Sequence, residues 1–152
     1  MNTPDTQSRL PSFYLLAFLI FFQAISGLLG GAMLVLDPTG SMLHMPLTLL
    51  EDSPFNSYLV PGLILFFVLG VAPLVVFYGL FRSATWAWPG AVLVSMALIA
   101  WIGVEIAMIG YQSDPPLQLI YGLVGIVLLI LTQWPAVREK FKSNSLLSDD
   151  LG

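Results

Sequence analysis

The sequence predicts an all-α membrane protein, a four-transmembrane-helix bundle with an interfacial loop segment on its outer side. Hydrophobic residues make up 57% of the 152-residue chain and charged residues only 9%, whereas soluble domains carry about 25% charged residues. Four apolar segments follow one another, at residues 12–36, 58–81, 87–110 and 117–136. Each is close to the ~20 residues that a helix needs to cross a bilayer. Backbone groups in lipid must be satisfied within the segment, which favours helices.

The chain is short enough for one domain, and its two ends differ in composition from the apolar middle. Residues 1–11 are predicted to form a cytoplasmic N-terminal segment, residues 12–136 the transmembrane domain, and residues 137–152 a cytoplasmic tail. Residues 143–152 are polar and acidic, so we expect the tail to be disordered.

The first helix carries glycines at a spacing that favours close packing in a membrane. Gly27 and Gly31 are about one helical turn apart, which lets the backbone of another helix approach. Residues 24–27 also resemble a signal-peptidase site. Because the apolar run continues well beyond that point, we expect the first helix to be retained.

The connection between the first two helices, residues 37–57, is too apolar for a free loop. It opens with DPTG, Asp37 to Gly40, which matches the residue preferences of a type I turn. The stretch MLHMPLTLLEDSPF is too short and too interrupted to span a bilayer. We therefore expect an interfacial segment, with a turn or two of helix from Leu47.

Two of the other helices contain residues that shape packing. Pro73 lies inside the second helix and removes the hydrogen bond to the Leu69 carbonyl, which predicts a kink. In the fourth helix, Gly122 and Gly125 are predicted to belong to a helix-packing face.

The basic residues predict the orientation in the membrane. All Lys and Arg residues precede the first helix, join the second to the third, or follow the fourth: Arg9, Arg82, Arg138, Lys140 and Lys142. Residues 37–57 and 111–116 contain none, so the positive-inside rule places both termini in the cytoplasm. The predicted location is the cell (inner) membrane, with several passes. Five scattered cations do not predict nucleic-acid binding.

Glu105 interrupts the apolar run WIGVEIAMIG and marks the predicted polar site. Trp101, Glu105 and Gln112 follow one face of the third helix, and Gln118 and Tyr121 follow one face of the fourth. A charged residue at the bilayer centre costs ~2.5–3.5 kcal/mol on insertion scales, so we expect Glu105 to face the bundle. There it can accept hydrogen bonds from Tyr121, Gln112 or Gln118. The carboxyl is either structural, joining helices, or functional, as a proton or ligand site; the sequence leaves both open.

Small residues on the third helix predict further protein contacts. Gly103 and Gly110 lie roughly opposite Glu105, so both faces of this helix favour contact with protein. In a small bundle, this indicates a homo-oligomer or a partner membrane protein. The expected partners are therefore the lipid bilayer, another protein copy or membrane protein, and a small lipophilic ligand.

The sequence predicts no cofactor. It contains no cysteine, which excludes disulfides and thiolate metal sites. His44 is the only histidine and lies near Asp37, Glu51 and Asp52 in the sequence. It is a weak candidate for a metal ligand, because a single imidazole without a second ligand at helical spacing makes a poor site.

Three functions remain open on this evidence. The favoured one is a non-enzymatic binding or accessory protein with a polar site around Glu105 open toward the outer side. The second is a proton-coupled small-molecule transporter acting as a parallel homo-oligomer. The one-sided cations disfavour the antiparallel dimers of small multidrug exporters. The third is a membrane enzyme using Glu105 and His44, for which the sequence has no catalytic motif.

Several short motifs resemble those of a class of membrane proteins. DPTG, SPF and VPG at residues 37–40, 53–55 and 60–62, with WIGVEI and IYGLVG later in the chain, are similar to those of uncharacterised small bacterial four-transmembrane-helix membrane proteins. The resemblance covers most of residues 12–136 and implies the four-helix fold. DoxX-like proteins share this overall plan. The resemblance implies no particular activity.

Overall fold

The computed structural model describes the backbone of residues 6–139 and 141 and the side chains of residues 11–139 and 141. This part of the chain contains no strand, and its main helices are α1, Thr6–Leu36; α2, Leu59–Phe81; α3, Ala87–Ile109; and α4, Leu117–Gln133. Two short 3-10 turns, Ser41–Leu43 and Leu47–Leu50, lie between α1 and α2. The second lies where the sequence predicts a turn or two of helix. Most of the predicted tail lies outside the described residues.

Prolines account for the helix ends that differ from the predicted ones. α1 begins at Thr6 rather than at residue 12, so Pro11 lies in its second turn, where the missing N–H costs a single hydrogen bond. α4 ends before Trp134 instead of at residue 136. Trp134 has extended backbone angles, φ −61° and ψ 129°, as expected for a residue that precedes a proline. The chain becomes helical again at Pro135.

Within the described residues, three helical segments are long and apolar enough to cross a membrane: Pro11–Leu36, Leu59–Phe81 and Ala87–Ile109. α4 is apolar but shorter, with 17 residues, or about 25 Å at the helical rise. The outer surfaces of the helices are apolar as well, with more than half of the side chain exposed at Phe18, Leu29 and Leu93. These findings fit a protein embedded in a membrane, and the fourth span stays a prediction.

α1 and α2 pack backbone against backbone. Gly31 lies on the backbone of Phe66, and a Cβ atom placed on Gly31 would come within 2.5 Å of the Phe66 nitrogen. Gly27 lies just as closely against the carbonyl group of Leu69. Because a side chain at either position would collide with main-chain atoms, the two glycines set the distance between α1 and α2.

α2 contains a π-helical turn, Phe67–Val71, shortly before Pro73. Pro73 has no N–H to donate to the carbonyl of Leu69, four residues earlier. The side-chain amide of Gln23 on α1 donates to that carbonyl instead, at 3.2 Å. Close to the kink predicted at Pro73, α2 therefore has a π-helical turn. A neighbouring helix satisfies the carbonyl group that Pro73 leaves free.

The bundle has a main core and a smaller core at one end. The main core draws on all four helices and includes Leu16, Ile20, Leu69, Leu80, Leu98 and Leu128. The smaller core consists of Leu34, Leu50 and Tyr58, with Leu43 and Phe55 packed against it. The connection of residues 37–58, named here the α1–α2 loop, thus covers one end of the bundle with apolar side chains.

Hydrogen bonds at both of its ends hold the α1–α2 loop in place. The Gly40 N–H donates to the Asp37 carbonyl at 3.0 Å, which closes the turn that DPTG predicts. The Tyr58 N–H donates to the Pro38 carbonyl at 2.9 Å, and the Tyr58 hydroxyl donates to the Pro46 carbonyl at 3.0 Å. Because Tyr58 is buried directly before α2, these bonds tie the loop to the start of that helix.

Candidate functional site

A cavity of about 310 Å³ lies between the four helices, beneath the α1–α2 loop. On the loop side it is closed by apolar and aromatic residues: Leu43, Met45, Leu50, Phe55 and Tyr58. Polar residues in its wall are few: Gln23, Ser26, Glu105, Gln118 and Tyr121. A mostly apolar cavity with a small number of polar groups is the usual form of a small-molecule site.

Glu105 lies in the wall of this cavity, on the side of α3 that faces α4. Nε2 of Gln118 on α4 donates to Oε1 of Glu105 at 3.3 Å and to the Gly110 carbonyl at 3.1 Å. The side chain of Gln118 is only 3% exposed. The structure therefore brings Glu105 and Gln118 together, and one buried amide orients the carboxyl.

Gln112 supports this pair from the end of α3 rather than by contact with Glu105. Its N–H donates to Oε1 of Gln118 at 2.8 Å, while its own side-chain amide donates to the Ile109 carbonyl at 2.9 Å. Its side chain is exposed. Gln112 thus fixes the orientation of Gln118.

Trp101 and Tyr121 both line the cavity, and they have different neighbours. Trp101 is partly buried and lies about one turn before Glu105 on α3. The ring of Tyr121 stacks on Phe22 of α1, with centroids 6.1 Å apart and planes 14° apart. Tyr121 therefore joins α4 to α1, and the donor that the structure places on Glu105 from α4 is Gln118.

Gln23 is a cavity residue that the sequence analysis did not identify. It is buried in the middle of α1, lines the cavity, and donates to the Leu69 carbonyl. The signal in the sequence was an amide in an apolar helix together with Pro73, which frees a carbonyl group that needs a donor. Sequence alone does not show that the two helices bring these groups together.

The other missed residues belong to the α1–α2 loop. Leu43, Leu50 and Tyr58 lie against the end of the bundle and close the cavity there. An interfacial segment is predicted for this part of the chain, but the contacts of its side chains depend on how the loop folds back. No motif in the sequence identifies them.

The glycines predicted on α3 and α4 differ in their surroundings. Gly125 lies against Ile99, where an added Cβ would come within 2.8 Å of Cγ1, and Gly122 has a looser contact with α3. Gly103 has no atom within 4 Å of such a Cβ position, and Gly110 ends α3 with φ 71°. The face of α3 at Gly103 is therefore covered by no part of the chain that the structure describes.

His44 ends the short helical turn Ser41–Leu43, with φ 55° and ψ 33°. Among the residues that the structure describes, no three His, Asp or Glu side chains are grouped as metal ligands would be. The weak metal candidate His44 therefore has no ligand set around it in this part of the chain.

Two ionisable groups of the α1–α2 loop have shifted pKa values. The hydroxyl of Thr39 and the N–H of Met42 donate to the Asp37 carboxylate and lower the pKa of Asp37 below its usual 3.8. Burial raises the pKa of Tyr58 above its usual 10.0. At neutral pH, Asp37 is therefore a carboxylate, and the Tyr58 hydroxyl is a neutral hydrogen-bond donor.

Comparison of the chain with protein-family models, with curated proteins and with solved structures found no match. The function therefore has to be inferred from the cavity and from the residues in its wall.

Proposed function

We propose that this chain is a four-helix, multi-pass membrane protein that binds a small lipophilic molecule without changing it chemically. The cavity beneath the α1–α2 loop is the binding site, and Glu105 makes its main polar contact. The observation that carries the proposal is a partly buried carboxyl, held by Gln118, in the wall of a mostly apolar cavity.

The hydrogen bonds around Glu105 favour a ligand with a donor group. Nε2 of Gln118 already donates to Glu105 and to the Gly110 carbonyl, and Oε1 of Gln118 already accepts from Gln112. An amide has two N–H donors, so Gln118 has none left for a ligand. The carboxyl group of Glu105 therefore offers the ligand a hydrogen-bond acceptor, which suits an amine or a hydroxyl group.

The size and position of the cavity limit the ligand further. Its volume of about 310 Å³ is at the small end of the ~300–1,000 Å³ typical of ligand sites. This accommodates one alkyl chain or a small ring system, and excludes a two-chain phospholipid. Val104 and Leu117 line the cavity and are each about half exposed. The cavity therefore lies close to the apolar surface, from which a lipophilic molecule would arrive.

Binding of decylamine and decanoate to the purified protein in mild detergent tests the proposal, with tryptophan fluorescence as the signal because Trp101 lies in the cavity wall. A charge-assisted hydrogen bond predicts that decylamine binds on the order of tenfold more tightly than decanoate. The Glu105→Gln variant should lose most of this preference.

The matched control is Glu51→Gln, because Glu51 is an exposed carboxylate of the α1–α2 loop that does not line the cavity. This variant should keep the wild-type preference. Equal affinity of decylamine and decanoate for wild-type protein would contradict the proposed site. So would an equal loss of the preference for decylamine in Glu105→Gln and Glu51→Gln.

The proposed orientation places both termini in the cytoplasm and the α1–α2 loop outside the cell membrane. Two cations at the bundle end opposite the loop support it. The Arg82 guanidinium lies 5.9 Å from the ring centre of Tyr78, and that of Arg138 lies 5.6 Å from the ring of Trp88. Basic and aromatic residues together are typical of the cytoplasmic membrane interface. Four crossings follow if α4 returns the chain to that side.

A second candidate function is proton-coupled transport by a parallel homo-oligomer. The observation that favours it is the π-helical turn Phe67–Val71, because Leu69 in this turn lines the cavity. Such turns often lie at functional sites, and the uncovered face at Gly103 provides room for a second copy.

Uptake of labelled decylamine into proteoliposomes, with and without a pH gradient, tests transport. Gradient-dependent uptake that disappears in Glu105→Gln would support it. A protein that binds decylamine but shows no such uptake is not this kind of transporter.

A further inference from the structure

In the side-chain amide of Gln23, the nitrogen has a hydrogen-bond partner among the described residues and the oxygen has none. The side chain is 2% exposed, and its Nε2 donates to the Leu69 carbonyl at 3.2 Å. Its Oε1 is buried and has no hydrogen-bond partner among the described residues. Gln23 also lines the cavity, so this unpaired oxygen belongs to a side chain of the cavity wall. Buried polar atoms are nearly always hydrogen-bonded in native proteins.

The amide of Gln23 has a defined orientation. The Leu69 carbonyl lacks its regular α-helical donor because Pro73 has no N–H. If the amide were turned around, Oε1 would face the Leu69 oxygen, and two acceptors would be in contact. The backbone of α2 therefore requires Nε2 at Leu69, which leaves Oε1 for another donor.

Gln23 and Glu105 belong to different parts of the cavity wall. Nε2 of Gln23 donates to the Leu69 carbonyl of α2, so Gln23 belongs to the wall formed by α1 and α2. Glu105 is bonded to Gln118 and belongs to the wall formed by α3 and α4.

We propose that Gln23 is a second ligand contact, whose Oε1 accepts a hydrogen bond from a donor at the far end of the bound molecule. This inference rests on the proposed function and narrows its ligand class. The ligand has an amine or hydroxyl group at Glu105, an apolar middle, and a hydroxyl or N–H group at Gln23. An ω-hydroxyalkylamine is the simplest molecule with this pattern.

The test compares alkylamines with the ω-hydroxyalkylamines of equal chain length, from pentyl to decyl, binding to the full chain in mild detergent. One hydrogen bond to the buried oxygen predicts that the hydroxy compound binds about 3- to 10-fold more tightly at the length that reaches Gln23. The Gln23→Met variant should lose this preference, so that the hydroxy compound and the alkylamine of equal chain length bind to it with equal affinity.

Gln23→Met also leaves the Leu69 carbonyl unpaired, so a second variant is needed to keep the test independent of folding. Pro73→Ala returns an N–H four residues after Leu69. The double variant Gln23→Met/Pro73→Ala should fold and still lack the preference, whereas Pro73→Ala alone should retain it. A preference restored in the double variant would show that Gln23 acts only through the backbone of α2, and would overturn the inference.

The same measurements separate this inference from the proposed function. Wild-type protein that binds decylamine but prefers no ω-hydroxyalkylamine at any length would overturn the role of Gln23 and leave the Glu105 site standing. Wild-type protein that binds neither series would overturn the binding function, and the role of Gln23 with it.

Discussion

The buried amide of Gln118 holds the carboxyl of Glu105, at 3.3 Å, and at the same time the carbonyl of Gly110, directly after α3. Its oxygen also accepts the N–H of Gln112 at 2.8 Å. One side chain of α4 therefore fixes both the polar group of the cavity and the connection between α3 and α4. Stability and site geometry depend on the same residue.

Replacing Gln118 by Leu should lower both the stability of the protein and its affinity for decylamine. The variant leaves the Gly110 carbonyl and the Gln112 N–H without their partner, so we expect a loss of about 1–3 kcal/mol in the free energy of unfolding. Decylamine affinity should fall as well, because Glu105 is no longer oriented. Unfolding in mixed detergent micelles, followed by circular dichroism, measures the first effect. Gln133→Leu changes an exposed amide of α4 and should stay within about 0.5 kcal/mol of wild type; equal losses would contradict the role of Gln118.

Two glycine variants should have opposite effects on unfolding. Gly31→Ala places a Cβ within 2.5 Å of the Phe66 nitrogen, so α1 and α2 must separate, at a cost of about 1–3 kcal/mol. Gly103→Ala meets no atom within 4 Å and should be neutral, or stabilising by up to about 1 kcal/mol, since Ala favours helix more than Gly. The comparison is made in detergent micelles that each hold one copy of the protein. If Gly103→Ala lowers the free energy of unfolding more than Gly31→Ala does, the packing described for α1 and α2 is wrong.

Tyr58→Phe should loosen the α1–α2 loop while keeping the ring in place. The variant loses the bond from the hydroxyl to the Pro46 carbonyl, worth about 1 kcal/mol. Amides of the loop should exchange hydrogen faster, and bound decylamine should dissociate faster. Tyr111→Phe, which changes an exposed tyrosine, serves as the control. Unchanged exchange in Tyr58→Phe would show that the hydroxyl does not hold the loop.

The carboxylate of Asp37 should hold the first turn of the α1–α2 loop at every pH above the pKa of Asp37. Hydrogen bonds from Thr39 and Met42 lower its pKa below 3.8. The stability that it contributes is therefore fully present above 3.8, the unfolded value, and is lost as the pH falls through the lower folded value. Exchange of the Met42 amide, corrected for its intrinsic pH dependence, should stay constant from neutral pH down to that region and then rise. Asp37→Asn should show no such transition; a transition near neutral pH in the wild type would contradict this assignment.

Cysteine labelling tests the orientation without interference, because the chain contains no native cysteine. Cysteine at Ser41 should react with an impermeant thiol reagent on intact cells, and cysteine at Ser143 should react only after lysis. The reason is the placement of the Lys and Arg residues. Labelling of position 143 but not of position 41 on intact cells would reverse the orientation.

Local patterns in the sequence predict the helices, because each apolar run is continuous and close in length to the helix that forms. The ends are less predictable where proline acts: Pro11 is accepted inside α1, and Pro135 ends α4 early. The π-helical turn before Pro73 could not be predicted from local patterns, and neither could the donor that the Leu69 carbonyl finds there, Gln23, which lies 46 residues before Leu69 in the chain.

The candidate site also combines residues whose contacts the sequence predicts with residues whose contacts it does not. The sequence predicts that Glu105 can accept a hydrogen bond from Tyr121, Gln112 or Gln118, because all three follow it near the turn that joins α3 and α4. Which of them donates could not be predicted, and in the structure it is Gln118. The positions of Gln23 and Tyr58 could not be predicted, because they depend on how α1 and α2 pack against α3 and α4. That packing is set by contacts between residues distant in the sequence, such as Phe22 with Tyr121.

The glycine contacts between α1 and α2 have a mechanical consequence. Gly27 and Gly31 hold the two backbones together, so α1, α2 and the loop that joins them form one closely packed unit, which we call a leaf. α3 and α4, tied through Gln118, form the second leaf. The cavity lies between the two leaves, so the ligand that we propose would enter from the hydrocarbon of the bilayer, rather than from water, if the leaves part sideways.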